Sequence, residues 1–132
     1  MTGHRFVEHV GEVELELEGS SVADLCVEAL AAFRELVDGA TANGAAFERE
    51  LVLPEAEPSL LLVDWLNELV FLAEVEGFVP ERVERIELGE DLRATLAGVR
   101  GHPRHLVKAA TLHDLELSNR EGVWRARVVL DV

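Results

Sequence analysis

The clearest alternation of hydrophobic and polar residues lies near the start of the chain, at residues 11–19, which read GEVELELEG. Val13, Leu15 and Leu17 alternate there with glutamates at every even position from 12 to 18. A period of two over this length is typical of a β-strand with one buried face. The sequence therefore predicts a first strand whose other face is acidic.

The pattern changes to helical spacing after Gly19 and keeps it to about Asp38. Ser20 and Ser21 offer side-chain oxygens of the kind that cap a helix N-terminus. Asp24 follows near the helix start, where a negative charge is favourable next to the helix dipole. We therefore predict a first helix over this stretch.

A second helix is predicted in the strongest apolar segment, LLLVDWLNELVFLAEVE, from Leu60 to about Glu76. The segment is long enough for a helix and too rich in leucine and alanine for a strand. Pro58 suits the first turn of a helix, and Gly77 suits its end. Between the two helices, residues 38–44 (DGATANG) predict a polar, glycine-rich and mobile loop.

The other segments have the character of strands and are short. They lie around 47–53 and near 82–88, 92–99 and 105–117, and a hairpin connection at 118–122 leads into the closing strand GVWRARVVLDV. The resulting order is β-α-β-α-β-β-β-β. Because the strands bunch in the second half, this order favours an α+β fold with a mixed or antiparallel sheet and two main helices. A length of 132 residues fits one domain over residues 1–132.

Charge divides the chain into two unlike halves. The net charge is −14, and residues 1–76 carry all of it, with 3 basic and 17 acidic side chains. Residues 77–132 hold 9 of each sign. An acidic field of this size repels a phosphate backbone, so we expect no direct, tight binding to nucleic acid. The alternative interpretation, that the negative charge only keeps the protein soluble, stays open.

Composition and motifs exclude several classes of protein. A single cysteine, Cys26, rules out an internal disulfide framework, and its place within the first helix predicts a small core residue. No apolar run approaches the roughly 20 residues that span a bilayer, and the start carries no leader pattern, so we expect a cytoplasmic protein without membrane contact. The sequence contains no GxSxG elbow and no phosphate-binding glycine loop.

Histidine offers little for a transition metal. None of the five (His4, His9, His102, His105 and His113) forms an HxxxH or HExxH pair, and Pro103 breaks any helix between His102 and His105, so we expect loop residues there rather than ligands. Carboxylates are a better source of ligands, because calcium, magnesium and manganese prefer oxygen. Glu12 opens the first strand, and Asp131 closes the last, followed by Val132 and its free carboxylate. If those two strands are neighbours, these oxygens lie close together.

The stretch from Leu92 to His113 contains no acidic residue, and it holds Lys108, the only lysine beside eleven arginines. A single lysine on a strand suits a role that needs a compact ammonium group, although an arginine-rich composition explains it equally well.

Four segments together resemble the archease family. They are an opening box followed by a strand, a central leucine-rich helix with an Asp-Trp-Leu-Asn-Glu-Leu core, a strand built around Lys-Ala-x-Thr, and a terminal strand that ends hydrophobic-Asp-hydrophobic. In this chain they read RFVEHVGEVELELEG (5–19), LLLVDWLNELVFLAEVEGF (60–78), HLVKAATLHDLEL (105–117) and GVWRARVVLDV (122–132).

The resemblance implies a function. Archeases are small cytoplasmic accessory proteins, not enzymes, that promote guanylylation and repeated turnover of the RtcB-type, GTP- and manganese-dependent RNA ligase in tRNA splicing or RNA repair. The family's metal-binding positions fall on Glu12, Asp131 and Val132, which implies a divalent cation, calcium first, with magnesium or manganese as alternatives. The family's strand lysine falls on Lys108, which becomes the residue expected to act in ligase activation.

Two positions depart from the family pattern. Glu12 replaces an aspartate, and its extra methylene displaces the carboxylate by about 1.5 Å. Leu112 replaces a tyrosine and removes a hydroxyl group. The first departure favours an alternative function, an acidic protein-interaction or chaperone-like module without a metal. In either case we expect a monomer or a weak homo-oligomer.

Overall fold

The computed structural model describes residues 2–40 and 45–132, and within them the chain forms two helices and seven strands. In chain order the elements are β1 (Gly3–His9), β2 (Glu12–Gly19), α1 (Val22–Val37), β3 (Ala46–Leu53), α2 (Pro58–Glu74), β4 (Phe78–Leu88), β5 (Leu92–Arg100), β6 (Ala109–Arg120) and β7 (Val123–Asp131). This confirms the α+β class with two main helices.

The strands divide between two sheets. A four-stranded sheet has the order β1-β2-β7-β6, and a three-stranded sheet has the order β3-β5-β4. All neighbours pair antiparallel. The predicted hairpin at 118–122 is confirmed, with Glu121 and Gly122 both at positive φ between β6 and β7. Two positive φ values in a two-residue loop match the twist of the flanking strands.

Strand β1 is the one element that the predicted order lacks. Phe6 and Val7 stand side by side in it and break any alternation of apolar and polar residues. The strand forms because β2 offers an edge, and a two-residue turn at Val10 and Gly11 returns the chain so that His9 lies opposite Glu12. Gly11 has a φ of +73°, a conformation that glycine adopts without steric cost.

Helix α1 begins as its sequence predicts. The Ser21 hydroxyl accepts a hydrogen bond from the Asp24 backbone N–H at 3.0 Å. The Asp24 carboxylate accepts in turn from the Ser20 backbone N–H at 2.8 Å and from the Thr2 hydroxyl at 2.9 Å. These bonds, the one from Ser20 first, hold the pKa of Asp24 below its usual value. Backbone donors that a helix start leaves unpaired are thereby satisfied.

Helix α2 begins at Pro58, the residue that the sequence assigned to a first helical turn, and it is buried on most of its surface. Trp65, Leu66 and Leu69 are fully buried. No helix among residues 2–40 and 45–132 has both the length and the apolar character to cross a membrane. Of the predicted loop at 38–44, residues 41–44 lie outside the described part of the chain.

The helices and sheets share one hydrophobic core. Helix α1 packs against β2 and β4, and α2 packs against β4 and β6, so both helices contact both sheets. The core contains the inward faces of β2 and β7, where Leu15 and Leu130 are fully buried, and Phe33 of α1. The opposite face of the four-stranded sheet carries the glutamates of β2.

Candidate functional site

The start of β2 and the end of β7 meet at one end of the four-stranded sheet. Glu12 and Asp131 are direct partners in the antiparallel register. The Val132 backbone N–H donates to the Gly11 carbonyl oxygen at 3.1 Å, which extends the pairing by one residue. The two strands are therefore neighbours, as the sequence argument required, and the carboxylates of Glu12 and Asp131 belong to facing positions.

Lys108 lies beside the same pair. Its backbone N–H donates to the Asp131 carbonyl oxygen at 2.8 Å, and the next residue, Ala109, is the register partner of Asp131. The predicted strand at 105–117 was too long at its start, because β6 begins at Ala109 and Lys108 precedes it. The Lys108 side chain is exposed. The structure therefore brings together all four residues that the sequence singled out.

Glutamates and arginines pair along the outer face of this sheet. The Glu14 carboxylate lies 3.8 Å from Arg127, that of Glu16 2.5 Å from Arg5, and that of Glu18 2.9 Å from Arg125. Within residues 2–40 and 45–132, Glu12 and Asp131 have no such arginine. Like charges that face each other across strands are destabilising. This end of the sheet is therefore the place on the outer face where a cation would relieve repulsion.

The oxygen atoms at this end are of the type that hard cations bind. Two carboxylates and the backbone oxygen of Val132 are ligands that calcium, magnesium and manganese accept. In the described part of the chain, no three side chains of the His, Cys, Asp or Glu type cluster tightly enough to form a metal site by themselves. Water would have to complete the coordination shell.

The histidines lie in different kinds of structure. His102 and His105 lie between β5 and β6, outside the strands as expected, whereas His4 and His9 lie on β1 and His113 lies on β6. His4 faces α1, where its Nδ1 contacts the Glu28 carboxylate and its Nε2 contacts that of Glu35. Each ring nitrogen thus has an acidic partner.

Burial by itself would lower the pKa of His4, but hydrogen bonds to Glu28 and Glu35 outweigh it and raise the pKa above 6.5. A doubly protonated ring donates to both carboxylates, and a neutral ring donates to one. A raised folded-state pKa gives stability that is fully present below about pH 6.5 and is lost as the pH rises through the folded-state value.

We therefore expect the difference in unfolding free energy between the wild type and His4→Gln to be larger at pH 6 than at pH 9. Its size is on the order of 1 kcal/mol or less, because the Glu35 side chain is 60% exposed. Urea unfolding at the two pH values measures it. A difference that does not depend on pH would show that the charge of His4 does not stabilise the fold.

A large concavity lies away from the carboxylate pair. It is an open groove of about 1280 Å³ on the four-stranded sheet, and it extends to Pro58 at the start of α2. Four of its charged side chains are already paired, since Arg5 contacts Glu16 and Arg125 contacts Glu18. A ligand there would have to displace these ion pairs, and we therefore assign no function to the groove.

Cys26 is fully buried on α1, which confirms the prediction of a core residue. Burial raises the pKa of its thiol to about 12, so the thiol is protonated at neutral pH. A thiol needs its thiolate form to act as a nucleophile or a metal ligand. Cys26 is therefore a packing residue.

Sequence reasoning missed Asn67, which connects α2 to the candidate site. Its side-chain amide forms two hydrogen bonds with the backbone of Ala110, two residues after Lys108. The signal was present in the sequence, because Asn67 is a polar residue of low helix propensity in the middle of an apolar helix.

Comparison with known proteins shows the family to which the chain belongs. The profile of the archease protein family matches residues 4–132. The chain is 31% identical to the protein archease of Methanosarcina mazei over 98% of this chain and 95% of the relative. It is 33% identical to that of Archaeoglobus fulgidus over 98% of both chains.

Solved structures have the same fold. A crystal structure of an archease from Thermotoga maritima, described as a possible chaperone, superposes with a TM-score of 0.70 at 26% identity, over 96% of this chain and 94% of that one. A solution structure of a Methanobacterium thermoautotrophicum protein gives a TM-score of 0.67 at 22% identity, over 98% and 99%. Family profile, curated relatives and fold agree over nearly the whole length, and the chain belongs to the archease family.

Proposed function

We propose that this protein is an accessory factor that stimulates an RtcB-type, GTP- and manganese-dependent RNA ligase by promoting guanylylation of the ligase. The observation that carries the proposal is the meeting of Glu12, Asp131 and Val132 with Lys108 at one end of a sheet, in a chain of the archease family. The guanylylated histidine belongs to the ligase, so this protein carries no covalent step itself.

Glu12 and Asp131 hold a divalent cation through their carboxylates in this proposal, and Val132 adds a backbone oxygen. Calcium is the expected ion, with magnesium or manganese as alternatives. Bound there, the cation supplies positive charge that offsets the repulsion between the two carboxylates. Backbone pairing of β2 with β7 orients both carboxylates before any ion arrives, so little ordering remains to be done.

Lys108 presents an ammonium group next to this pair. Its backbone is held by Asp131 while its side chain is exposed, an arrangement suited to contact with a partner molecule. A lysine ammonium is a compact charge on a flexible stem, so it reaches an anionic group without the planar geometry that arginine requires. We therefore assign Lys108 to the contact with the ligase.

Exposed apolar side chains lie near these four residues in the sequence. Val10 is fully exposed in the turn before Glu12, and Val132 follows Asp131. Leu106 precedes Lys108 by two residues, and Leu112 follows in β6, with 49% and 62% of their surfaces exposed. Large exposed apolar groups around a polar centre are typical of a surface that binds another protein.

The test is a guanylylation assay with purified cognate ligase, GTP and manganese. We expect the wild type to raise the rate of guanylylated ligase formation, and Lys108→Ala to lower that rate about tenfold toward the unstimulated value, equivalent to about 1.4 kcal/mol in the barrier. Lys108→Arg should retain part of the stimulation. Arg120→Ala, at an exposed site in the β6–β7 hairpin, is the control and should stimulate normally. Absence of stimulation by the wild type would contradict the proposal.

A second candidate function is an acidic protein-interaction or chaperone-like module that works without a metal. It is favoured because Glu12 and Asp131 belong to no group of three side-chain ligands in the described part of the chain, and because the Thermotoga maritima relative is described as a possible chaperone. Calorimetry with calcium, magnesium and manganese separates the two functions. No heat with any of the three ions, together with retained binding to the ligase, would favour the module.

A further inference from the structure

We infer that Asn67 is a positioning residue that clamps the start of β6 and thereby holds Lys108 against Asp131. The inference deepens the proposed function, since the role of Lys108 rests on it. The clamp itself rests on contacts that do not depend on that function.

Strand β6 lies at the edge of its sheet, next to β7 only. Its backbone groups that point away from β7 therefore have no strand to pair with. Ala110 is 6% exposed, so water has little access to its backbone N–H and carbonyl. Unsatisfied backbone groups in such a place cost free energy comparable to a lost hydrogen bond.

Asn67 satisfies both groups. Its Oδ1 accepts from the Ala110 N–H at 2.8 Å, and its Nδ2 donates to the Ala110 carbonyl oxygen at 3.2 Å. One side-chain amide thus replaces the peptide group of an absent neighbouring strand. Only asparagine and glutamine carry this donor and acceptor together in an uncharged amide, and the fully buried Trp65 and Leu66 fix the helix that presents it.

The segment that the clamp holds is weakly paired on its own. From Ala109 to Thr111 it pairs with β7 over three residues, and then the register shifts until Glu116. Before Ala109 the chain has no regular strand structure back to the end of β5. A pairing this short has little cooperativity, so a second attachment on the other side of the strand adds to what the buried side chain of Val107 contributes in keeping the segment in place.

The clamp acts on the site through the two residues that precede Ala110. Ala109 lies opposite Asp131, and the Lys108 N–H donates to the Asp131 carbonyl oxygen. If the segment separates from β7, Lys108 moves away from the carboxylate pair. Asn67 makes no hydrogen bond to these carboxylates, so it acts on the site only through the backbone of β6.

Amide hydrogen exchange followed by NMR tests the inference. In Asn67→Leu, which removes both hydrogen bonds, we expect the Lys108 amide to exchange at least about tenfold faster, because its own bond to Asp131 survives only while the segment stays docked. Amides of central strand β2, such as that of Leu15, should change less than about twofold. Asn67→Asp retains the acceptor and should lie between these values.

The matched control is Asp64→Asn, a substitution of an exposed residue one turn earlier on α2. It should leave hydrogen exchange at the Lys108 amide unchanged. Two results would overturn the inference. Unchanged Lys108 exchange in Asn67→Leu would mean that Asn67 only caps Ala110. Equal acceleration of the Lys108 and Leu15 amides would mean that Asn67 contributes to overall stability alone.

The exchange measurement needs no ligase, so its failure is distinct from failure of the proposed function. If Lys108→Ala leaves ligase stimulation intact, the role of Lys108 is wrong while the clamp stands. If the clamp and the role of Lys108 are both correct, Asn67→Leu also lowers ligase stimulation. Intact stimulation by Asn67→Leu, with faster exchange at Lys108, would show that positioning of Lys108 does not matter for stimulation.

Discussion

Replacement of Asp131 by asparagine is expected to weaken cation binding at least about tenfold, equivalent to about 1.4 kcal/mol, and to remove most ligase stimulation. The substitution keeps the shape of the side chain and removes its charge. Of the two facing side-chain carboxylates, only that of Glu12 would then remain, since Asp131 is its register partner. Calorimetry with calcium and the guanylylation assay measure the two effects.

The matched control is Asp91→Asn, the same chemical change between β4 and β5 of the other sheet, where the carboxylate contacts Arg93. It should leave calcium affinity and stimulation unchanged. The companion variant Glu12→Asp shortens the side chain to the family's length, and tighter calcium binding is expected from it. Unchanged calcium affinity in Asp131→Asn would contradict the assignment of Asp131 as a ligand.

Replacement of Gly98 by alanine is expected to lower the free energy of unfolding by about 3 kcal/mol. A Cβ atom at this position would clash most closely with the Val79 carbonyl oxygen, and it would lie 2.8 Å from the nearest carbon of the Phe78 ring. Phe78 is fully buried and packs edge-on against Phe47 at 4.8 Å between ring centroids, so it has no free space to enter.

Urea unfolding measures this cost, and Gly89→Ala supplies the reference. Gly89 lies between β4 and β5, and a Cβ added there meets nothing within 4 Å. We expect Gly89→Ala to change stability by less than about 0.5 kcal/mol. Equal costs at the two glycines would mean that close packing of Phe78 on β5 does not explain the glycine at position 98.

Local patterns predicted most of the elements. The alternation along β2, the Ser21 cap of α1 and Pro58 at the start of α2 are each decided by neighbouring residues, and the structure has all three. The failures have a common cause. Strand β1 lacks alternation and depends on the edge of β2, and the early start predicted for β6 overlooked the irregular chain around Lys108.

The candidate site was predicted as a set of residues and not as an arrangement. Charge and motif resemblance pointed to Glu12, Asp131, Val132 and Lys108. Their meeting depends on β2 and β7 being neighbours in one register, and a shift of one residue would turn Asp131 toward the core. Asn67 was missed because its partner, Ala110, is distant in sequence.

The sequence by itself determined the α+β class, the two helices with their starts, the acidic face of β2 and the residue types available for a cation or a partner. These follow from local periodicity, capping chemistry and charge, which neighbouring residues fix among themselves. Only the tertiary structure decided the division into two sheets, the pairing of Glu12 with Asp131 and the attachment of β6 to Asn67. Hydrogen bonds between distant segments form where burial of a shared core brings their backbones together, and no local pattern records which segments those are.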